Sequence, residues 1–425
     1  MIQRSYGGML VSVYSLLKKN RALLLFVIGS LISSIGSALT RIVVYGKLAE
    51  FGATPTSFSE AYAISMIPSL FATQLGVWTL RVTGPITNIV AAELLGAIGV
   101  LIPWLGVQNH SKLLLISGTM IPGVIGGVAV ASYGYFLKQI LQTEDYPAYS
   151  AIDALAFSAS TVMGTGFAAV LYNIVPTKIY FIGDIVSYLL AASLFIYIGL
   201  THNYNPTFTN LVTKSHVNMK KQMPKLHRVR LRAFLLLPAI AACTGSALAL
   251  LPALGERFAT FHVASFAVSS TVLLIFARTI GQAIGPFVLP PARVNALFGM
   301  NYMIIGLVSA YIWLYTIAFS TSLTTAALLL VILLVILAHI ASNIVFVVSN
   351  TAVFKYFTVA EIPLVSARIN QLTTLILLVV AVVAGKIATE TSMMLGLIFI
   401  SLPSLAFLAL IVLTIKPDGS GMDSI

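Results

Sequence analysis

Long apolar runs, at least eleven of them, follow one another from about Leu23 to Ile415 with only short polar loops between. Each is roughly 20 residues, enough for a helix to cross about 30 Å of hydrocarbon. Hydrophobic residues make up 59% of the sequence and charged residues only 8%. A soluble core cannot bury that much apolar surface, so the solvent must be lipid. What remains open is a protein that moves something across a bilayer or does chemistry inside one.

Twelve spans are expected, starting near Leu23, Ala61, Ile86, Leu113, Ala151, Ile179, Ala233, Val263, Asn295, Leu323, Asn370 and Met393. The distribution of Lys and Arg orients them. With the N-terminus inside, seventeen basic residues fall in cytoplasmic segments, among them Arg4, Lys18, Lys19, Arg21, Arg81, Lys138, Lys214, Lys220, Lys221, Arg368 and Lys416. Five fall outside (Lys47, Lys112, Lys178, Arg257 and Lys386), and Arg41 and Arg278 lie within spans. This excess places both termini in the cytoplasm. The net charge of +12 is then a matter of topology, and nucleic acid is not an expected partner. Lys18, Lys19 and Arg21 precede a run too long for a cleavable signal, so the first run is expected to stay as a helix. Cys243 is the single cysteine, which excludes an internal disulfide.

The longest polar stretch, Thr201 to Arg232, divides the spans six and six. The expected organisation is an N-terminal six-helix bundle (1–200), a cytoplasmic basic linker (201–232), a C-terminal six-helix bundle (233–416) and a short tail (417–425). The halves echo one another. Phe136-Leu-Lys138 is followed by Glu144, Pro147 and Ser150-Ala-Ile-Asp153, and Phe354-Lys355 by Glu361, Pro363 and Ser366-Ala-Arg368-Ile369. A six-span repeat in one orientation implies two bundles related by an axis along the membrane normal, with a site between them.

Polar residues interrupt the apolar runs at helical spacing. Ser30, Ser33, Ser34, Ser37 and Arg41 fall on one face of the first span, which should turn away from lipid. That face reads either as a substrate pathway with Arg41 as an anion contact, or as helix packing with Arg41 snorkelling to the interface. The tenth span carries His339, Ser342, Asn343 and Asn350, and the eighth carries Thr271, Arg278 and Gln282. An intramembrane His can relay protons or bind substrate, or simply bond a neighbouring helix. Arg41, Arg278 and His339 against few acids suggest an anionic ligand. Glu93 and Asp184 are the expected intramembrane carboxylates and the possible proton-coupling groups, with Glu93 open to pairing with Arg81. Gly281 and Gly285 permit close helix approach.

The sequence carries no Gly-rich phosphate loop with Lys and Ser/Thr, no His pair at metal-ligand spacing and no Cys cluster. Neither an enzyme nor a cofactor or metal site is expected.

Several stretches resemble the major facilitator superfamily, in its enterobactin-exporter and macrolide-efflux branch. Leu31-Ile-Ser-Ser-Ile-Gly-Ser-Ala-Leu-Thr-Arg-Ile42 is similar to that branch's opening helix. Phe181-Ile-Gly-Asp-Ile-Val-Ser-Tyr188 resembles its sixth, Leu251-Pro-Ala-Leu254 the end of its seventh, and Ile280-Gly-Gln-Ala-Ile-Gly285 its eighth. Ala367-Arg-Ile-Asn370 resembles its loop between helices ten and eleven. The resemblance implies two six-helix bundles, alternating access, a cavity lined by the first, fourth, seventh and tenth spans, and export driven by an ion gradient, usually protons. It also implies that Gly76, Arg81 and Arg368 belong to gating segments. The chain departs from the pattern at Leu80, where a gating acid is expected, at Gly84 and Pro85, which replace basic residues, and at Ser37, where many relatives carry Asp.

The expectation is therefore an all-α, twelve-helix, monomeric transporter of the inner membrane. It would export a small anionic or amphiphilic metabolite, such as a siderophore or an antibiotic, with a proton as coupling ion. Substrate pathway residues would be Ser30, Ser34, Ser37, Arg41, Arg278, Gln282, His339 and Asn343. The rivals are an importer or uniporter of the same fold, a lipid flippase, and a non-transporting sensor or assembly partner docking through the basic loop from Lys214 to Arg232.

Overall fold

The computed structural model describes residues 8–52, 55–171, 174–202, 223–258, 261–263, 266–268, 270–321 and 324–415. Arg4, Lys214, Lys220, Lys221, Lys416, the tail and positions 203–222 of the expected linker lie outside the described residues.

The chain is built from helices α1 (Met9–Lys19), α2 (Arg21–Glu50), α3 (Pro55–Thr83), α4 (Pro85–Gly99), α5 (Leu101–Gln108), α6 (Lys112–Gly118), α7 (Ile121–Ile140), α8 (Tyr146–Leu171) and α9 (Thr177–His202). These are followed by α10 (Met223–Glu256), a hairpin of β1 (Phe261–Val263) and β2 (Phe266–Val268), α11 (Ser270–Ile284), α12 (Pro291–Leu297), α13 (Asn301–Ser320), α14 (Thr325–Tyr356), α15 (Ile362–Glu390) and α16 (Met393–Thr414). Among the described residues, ten helical segments are long and apolar enough to cross a membrane, with α4–α5 and α6–α7 each forming one continuous segment. Helices α3 and α8 run to 29 and 26 residues.

Several boundaries differ from expectation, each for a local reason. The eighth span was placed near Val263, but aromatic and β-branched residues there pair as an antiparallel hairpin, Val263 opposite Phe266, and the helix begins at Ser270. The ninth run is divided between α12 and α13. The eleventh helix starts at Ile362, so Arg368 and Asn370 are helical rather than in a loop. Helix α1 was missed because its 11 residues are too short to span.

The basic stretch 201–232 is not a linker throughout, because α10 begins at Met223. Two of its arginines, Arg230 and Arg232, are held in place. Arg232 is fully buried; its Nη1 donates to Asn301 Oδ1 at 2.8 Å and to the carbonyls of Val412 and Ile415 at 3.0 and 3.1 Å. Its Nη2 donates to the Phe298 carbonyl, and the guanidinium lies 4.9 Å from the centre of the Phe298 ring. A cation among the last carbonyls of α16 complements that helix's dipole and satisfies acceptors that would otherwise be orphaned.

One end of the molecule collects the basic residues. There Asn20 Nδ2 donates to the Ile140 carbonyl at 3.0 Å. Arg230 donates to the Tyr356 carbonyl at 3.0 Å and pairs with Glu361. At the opposite end Lys112 reaches the Gly52 carbonyl at 3.0 Å and Arg257 the Phe319 carbonyl at 3.3 Å.

Helices α2–α9 pack mainly on one another, as do α10–α16. The two sets meet where α15 lies against α3 and α7, and where α8 lies against α11 and α14. Between α3 and α4 the chain turns on Gly84 alone, at φ 87°, a left-handed conformation open to glycine and strained for other residues. Asn88, just beyond, is buried and fully bonded. It donates to the Gly76 and Val128 carbonyls and to Ser132 Oγ, and accepts from Thr79. Gly76 earns its place beside it: a Cβ there would lie 2.3 Å from the Val128 oxygen, so only glycine lets α3 and α7 approach backbone to backbone.

Candidate functional site

Polar side chains gather in three places: inside the N-terminal set, inside the C-terminal set, and along the seam between them.

In the N-terminal set, the serine stripe of α2 divides. Ser34 and Arg41 are exposed, Ser30 and Ser37 are half-buried, and Ser33 is buried. Ser37 Oγ donates to the Ser33 carbonyl at 2.9 Å and sits 2.8 Å from the Tyr188 hydroxyl of α9. A cavity of about 20 Å³ opens here, lined by Ser37, Thr40, Arg41, Thr119, Asp184 and Tyr188 among others. That is room for about one water. The close approach of α2 to α9 depends on Gly36, where a Cβ would fall 2.7 Å from Asp184 Oδ1.

Both expected carboxylates lie in this interior. Asp184 is buried on α9, its main-chain oxygen accepting from Ser187 at 2.7 Å. Glu93, only 1% exposed on α4, accepts from the Tyr133 hydroxyl at 3.4 Å, and its Oε2 has no hydrogen-bond partner in the chain. Its polar neighbours are Tyr133 and Ser33. The expected pairing with Arg81 is not formed; Arg81 is exposed at the last turn of α3. Ser30 stands beside Tyr133, and Thr40 beside Asp184. Ser30, Ser33 and Ser37 of α2 thus run past Glu93 and Tyr133 towards Tyr188 and Asp184, as a buried polar track.

In the C-terminal set, α11, α13 and α14 bring Arg278, Gln282, Tyr311, Tyr315, His339 and Asn343 together. The Tyr315 hydroxyl is 2.8 Å from His339 Nε2, and the Tyr311 and Tyr315 rings stand nearly perpendicular to the imidazole. The Arg278 guanidinium lies close enough to act on both tyrosines and on His339. Three buried atoms without a protein partner lie here: Arg278 Nε, Gln282 Oε1 and His339 Nδ1. Of the three acids between 233 and 416 (Glu256, Glu361 and Glu390), each stands at a helix end. Arg278, within α11, therefore has no carboxylate of its own helix set beside it. Gly281 and Gly285 set the packing, since Cβ atoms there would meet His339 Cβ and Asn343 Cβ, each at 2.8 Å. Thr271, expected on the same face, instead donates to the Pro252 carbonyl at 3.2 Å.

The seam is closed towards the basic end. Asn370 Nδ2 donates to Ser69 Oγ at 3.0 Å and Gln371 Nε2 to the Leu70 carbonyl at 2.6 Å. Ser150 and Thr351 meet at 3.1 Å, Asn350 Nδ2 donates to Asp153 Oδ2 at 3.3 Å, and Lys138 donates to the Phe354 carbonyl. The Phe354 ring packs on Tyr146 and Tyr149, with centres 5.8 and 5.3 Å apart. Leu80, in the place of the family's gating acid, is fully buried in an apolar cluster with Val77, Tyr135, Val353, Ile362, Ala367 and Ile369. Arg368 is exposed, and its bond to Gln371 stays on its own helix. Gln371 rather than Arg368 crosses the seam. Asp153, within α8, was overlooked as an intramembrane acid; the signal that could have found it is its position in the Ser150-Ala-Ile-Asp153 repeat.

No family model and no curated protein matches the sequence. Solved structures do match in fold. A bacterial homologue of the iron transporter ferroportin, in an outward-facing state with soaked iron, superposes with a TM-score of 0.66 at 14% identity, over 92% of this chain and 98% of that one. The human organic anion transporter MFSD10 (TETRAN) gives 0.63 at 15% identity, over 92% and 99%. The E. coli fucose:proton symporter FucP gives 0.59 at 12% identity, over 93% and 98%. The chain shares its fold with these solved transporter structures over nearly its whole length.

Proposed function

We propose that a chain with this fold is a twelve-span secondary transporter of small organic anions, working by alternating access between two six-helix bundles. The observation that carries the anion reading is Arg278. A guanidinium at membrane depth is costly unless something compensates it, and no acid of its own set does so. Gln282 Oε1 and His339 Nδ1 leave further hydrogen-bonding capacity unused beside it. A carboxylate-bearing substrate supplies the missing charge and acceptors, while Tyr311 and Tyr315 offer aromatic surface to an amphiphilic body. The likeness to a structure described as an organic anion transporter supports the same reading. Iron is not carried over from the ferroportin homologue: among the described residues no three His, Cys, Asp or Glu side chains gather as a metal-ligand set.

The excess of Lys and Arg assigns the basic end, and both termini, to the cytoplasm. A seam closed there is what the outward-facing member of an alternating pair requires. Glu93 and Asp184 are the groups assigned to proton coupling, and export is the assigned direction, with a siderophore or an antibiotic as the kind of cargo the exporter-branch resemblance suggests.

The test is flux into and out of proteoliposomes holding the full chain, comparing carboxylates with their neutral amides, for instance salicylate with salicylamide. Saturable flux of the carboxylates alone supports the reading, and equal flux of both members of each pair refutes it. Vesicle sidedness separates exporter from importer, and a labelled phospholipid in the same vesicles detects a flippase.

A further inference from the structure

Helix α1 is the part of the chain that the transport reading leaves unused. It is 11 residues long, roughly 16 Å at 1.5 Å per residue, too short to span. Asn20 separates it from α2 in extended conformation, capping α2 through the Leu23 N–H at 3.0 Å and holding the Ile140 carbonyl. So α1 leaves the line of α2 at the level where the spans end. Met9, Val13 and Leu16 are buried, in the same apolar cluster as Tyr146, Tyr149 and Ile152. Helix α1 packs on α8 of the N-terminal set and also touches the turn Gly285–Phe287 that ends α11 of the C-terminal set.

Its other face is also apolar, yet uncovered. Leu10, Val11 and Tyr14 are 65%, 61% and 68% exposed. Lys18 follows on the same side, and Lys19 and Arg21 stand beside it at the end of the helix, all three exposed. The sequence holds no acid before Glu50, so nothing on this segment neutralises them. An apolar face at the level of the span ends, followed by a cluster of cations, is the surface that a membrane interface with anionic headgroups completes.

We propose that α1 lies in the headgroup layer at the basic end and binds anionic lipid, with Leu10, Val11 and Tyr14 inserted below the headgroups and Lys18, Lys19 and Arg21 on their phosphates. Each basic residue near such a surface contributes roughly fivefold to the partition of the helix between interface and water.

The full chain with Cys243→Ala and Tyr14→Cys, carrying an environment-sensitive fluorophore at position 14, reports this directly. It is reconstituted in phosphatidylcholine vesicles with and without phosphatidylglycerol at equal ionic strength. The expected result is blue-shifted emission, shielded from the neutral quencher acrylamide, in the phosphatidylglycerol vesicles and a smaller shift in phosphatidylcholine alone. Adding Lys18→Gln, Lys19→Gln and Arg21→Gln should bring the phosphatidylglycerol result to the phosphatidylcholine level. Equal shielding in both vesicles overturns the proposal, because protein or neutral lipid then covers the face. A shift produced in phosphatidylcholine by inorganic phosphate overturns it too, in favour of a free-anion site. The wild-type comparison between vesicles stands even where the triple variant folds poorly.

Discussion

The Tyr315 hydroxyl lies 2.8 Å from Nε2 of His339, while Nδ1 of the same ring has no hydrogen-bond partner in the chain. One nitrogen is fixed by the fold and the other is left for something else. Tyr315→Phe should therefore cost stability, about 1–3 kcal/mol for a buried group left unsatisfied, and should also weaken anion binding by releasing the ring. Thermal unfolding and substrate affinity measure the two effects separately. Lost stability with unchanged affinity would mean that His339 is structural only.

Arg232 is a structural cation, and its removal should be felt in stability rather than in transport. Arg232→Met leaves the carbonyls of Phe298, Val412 and Ile415 and the Asn301 side chain short of a donor. Each buried acceptor costs about 1–3 kcal/mol. The midpoint of thermal unfolding in detergent should fall by far more than for Arg368→Met, whose side chain is exposed. Equal shifts in the two variants would contradict the assignment.

The closed seam must open if access alternates. Ser69→Cys with Asn370→Cys, in a Cys243→Ala background, places two thiols where side chains now meet at 3.0 Å. A short thiol cross-linker should stop flux, and a reducible linker should restore it on cleavage. Full flux through the cross-linked protein would rule out opening at this seam.

Glu93 and Asp184 share one polar interior, spaced along one face of α2. If they load the coupling proton, Glu93→Gln and Asp184→Asn lose accumulation driven by a pH gradient but keep exchange of substrate for substrate. Gradient-driven accumulation that survives both changes, or that a protonophore never affects in wild type, removes these acids from the coupling step.

Much of this arrangement was legible in the sequence because lipid imposes a simple grammar. Spans need length and apolarity, and interruptions such as Arg278, His339 and Asp184 stand out against them. Partners were harder to see. The Glu93–Arg81 pairing rested on sequence proximity, yet Glu93 turns into the bundle towards Tyr133 while Arg81 stays at the end of α3. Asp153 was hidden near the mouth of its span, and its role at the seam depends on Asn350, 197 residues away. Helix α1 escaped notice because hydropathy over a span-length window averages an amphipathic helix away. Leu80 was recognised as a departure from the family pattern, but only packing reveals that an apolar cluster occupies the place of an ionic latch.

The most direct measurement is anion flux by Arg278→Gln in proteoliposomes, set beside wild type with matched carboxylate and amide substrates. Loss of carboxylate flux with the protein still folded and reconstituted is the result predicted for a guanidinium that the substrate itself neutralises. Carboxylate flux and affinity equal to wild type would contradict the account at its centre.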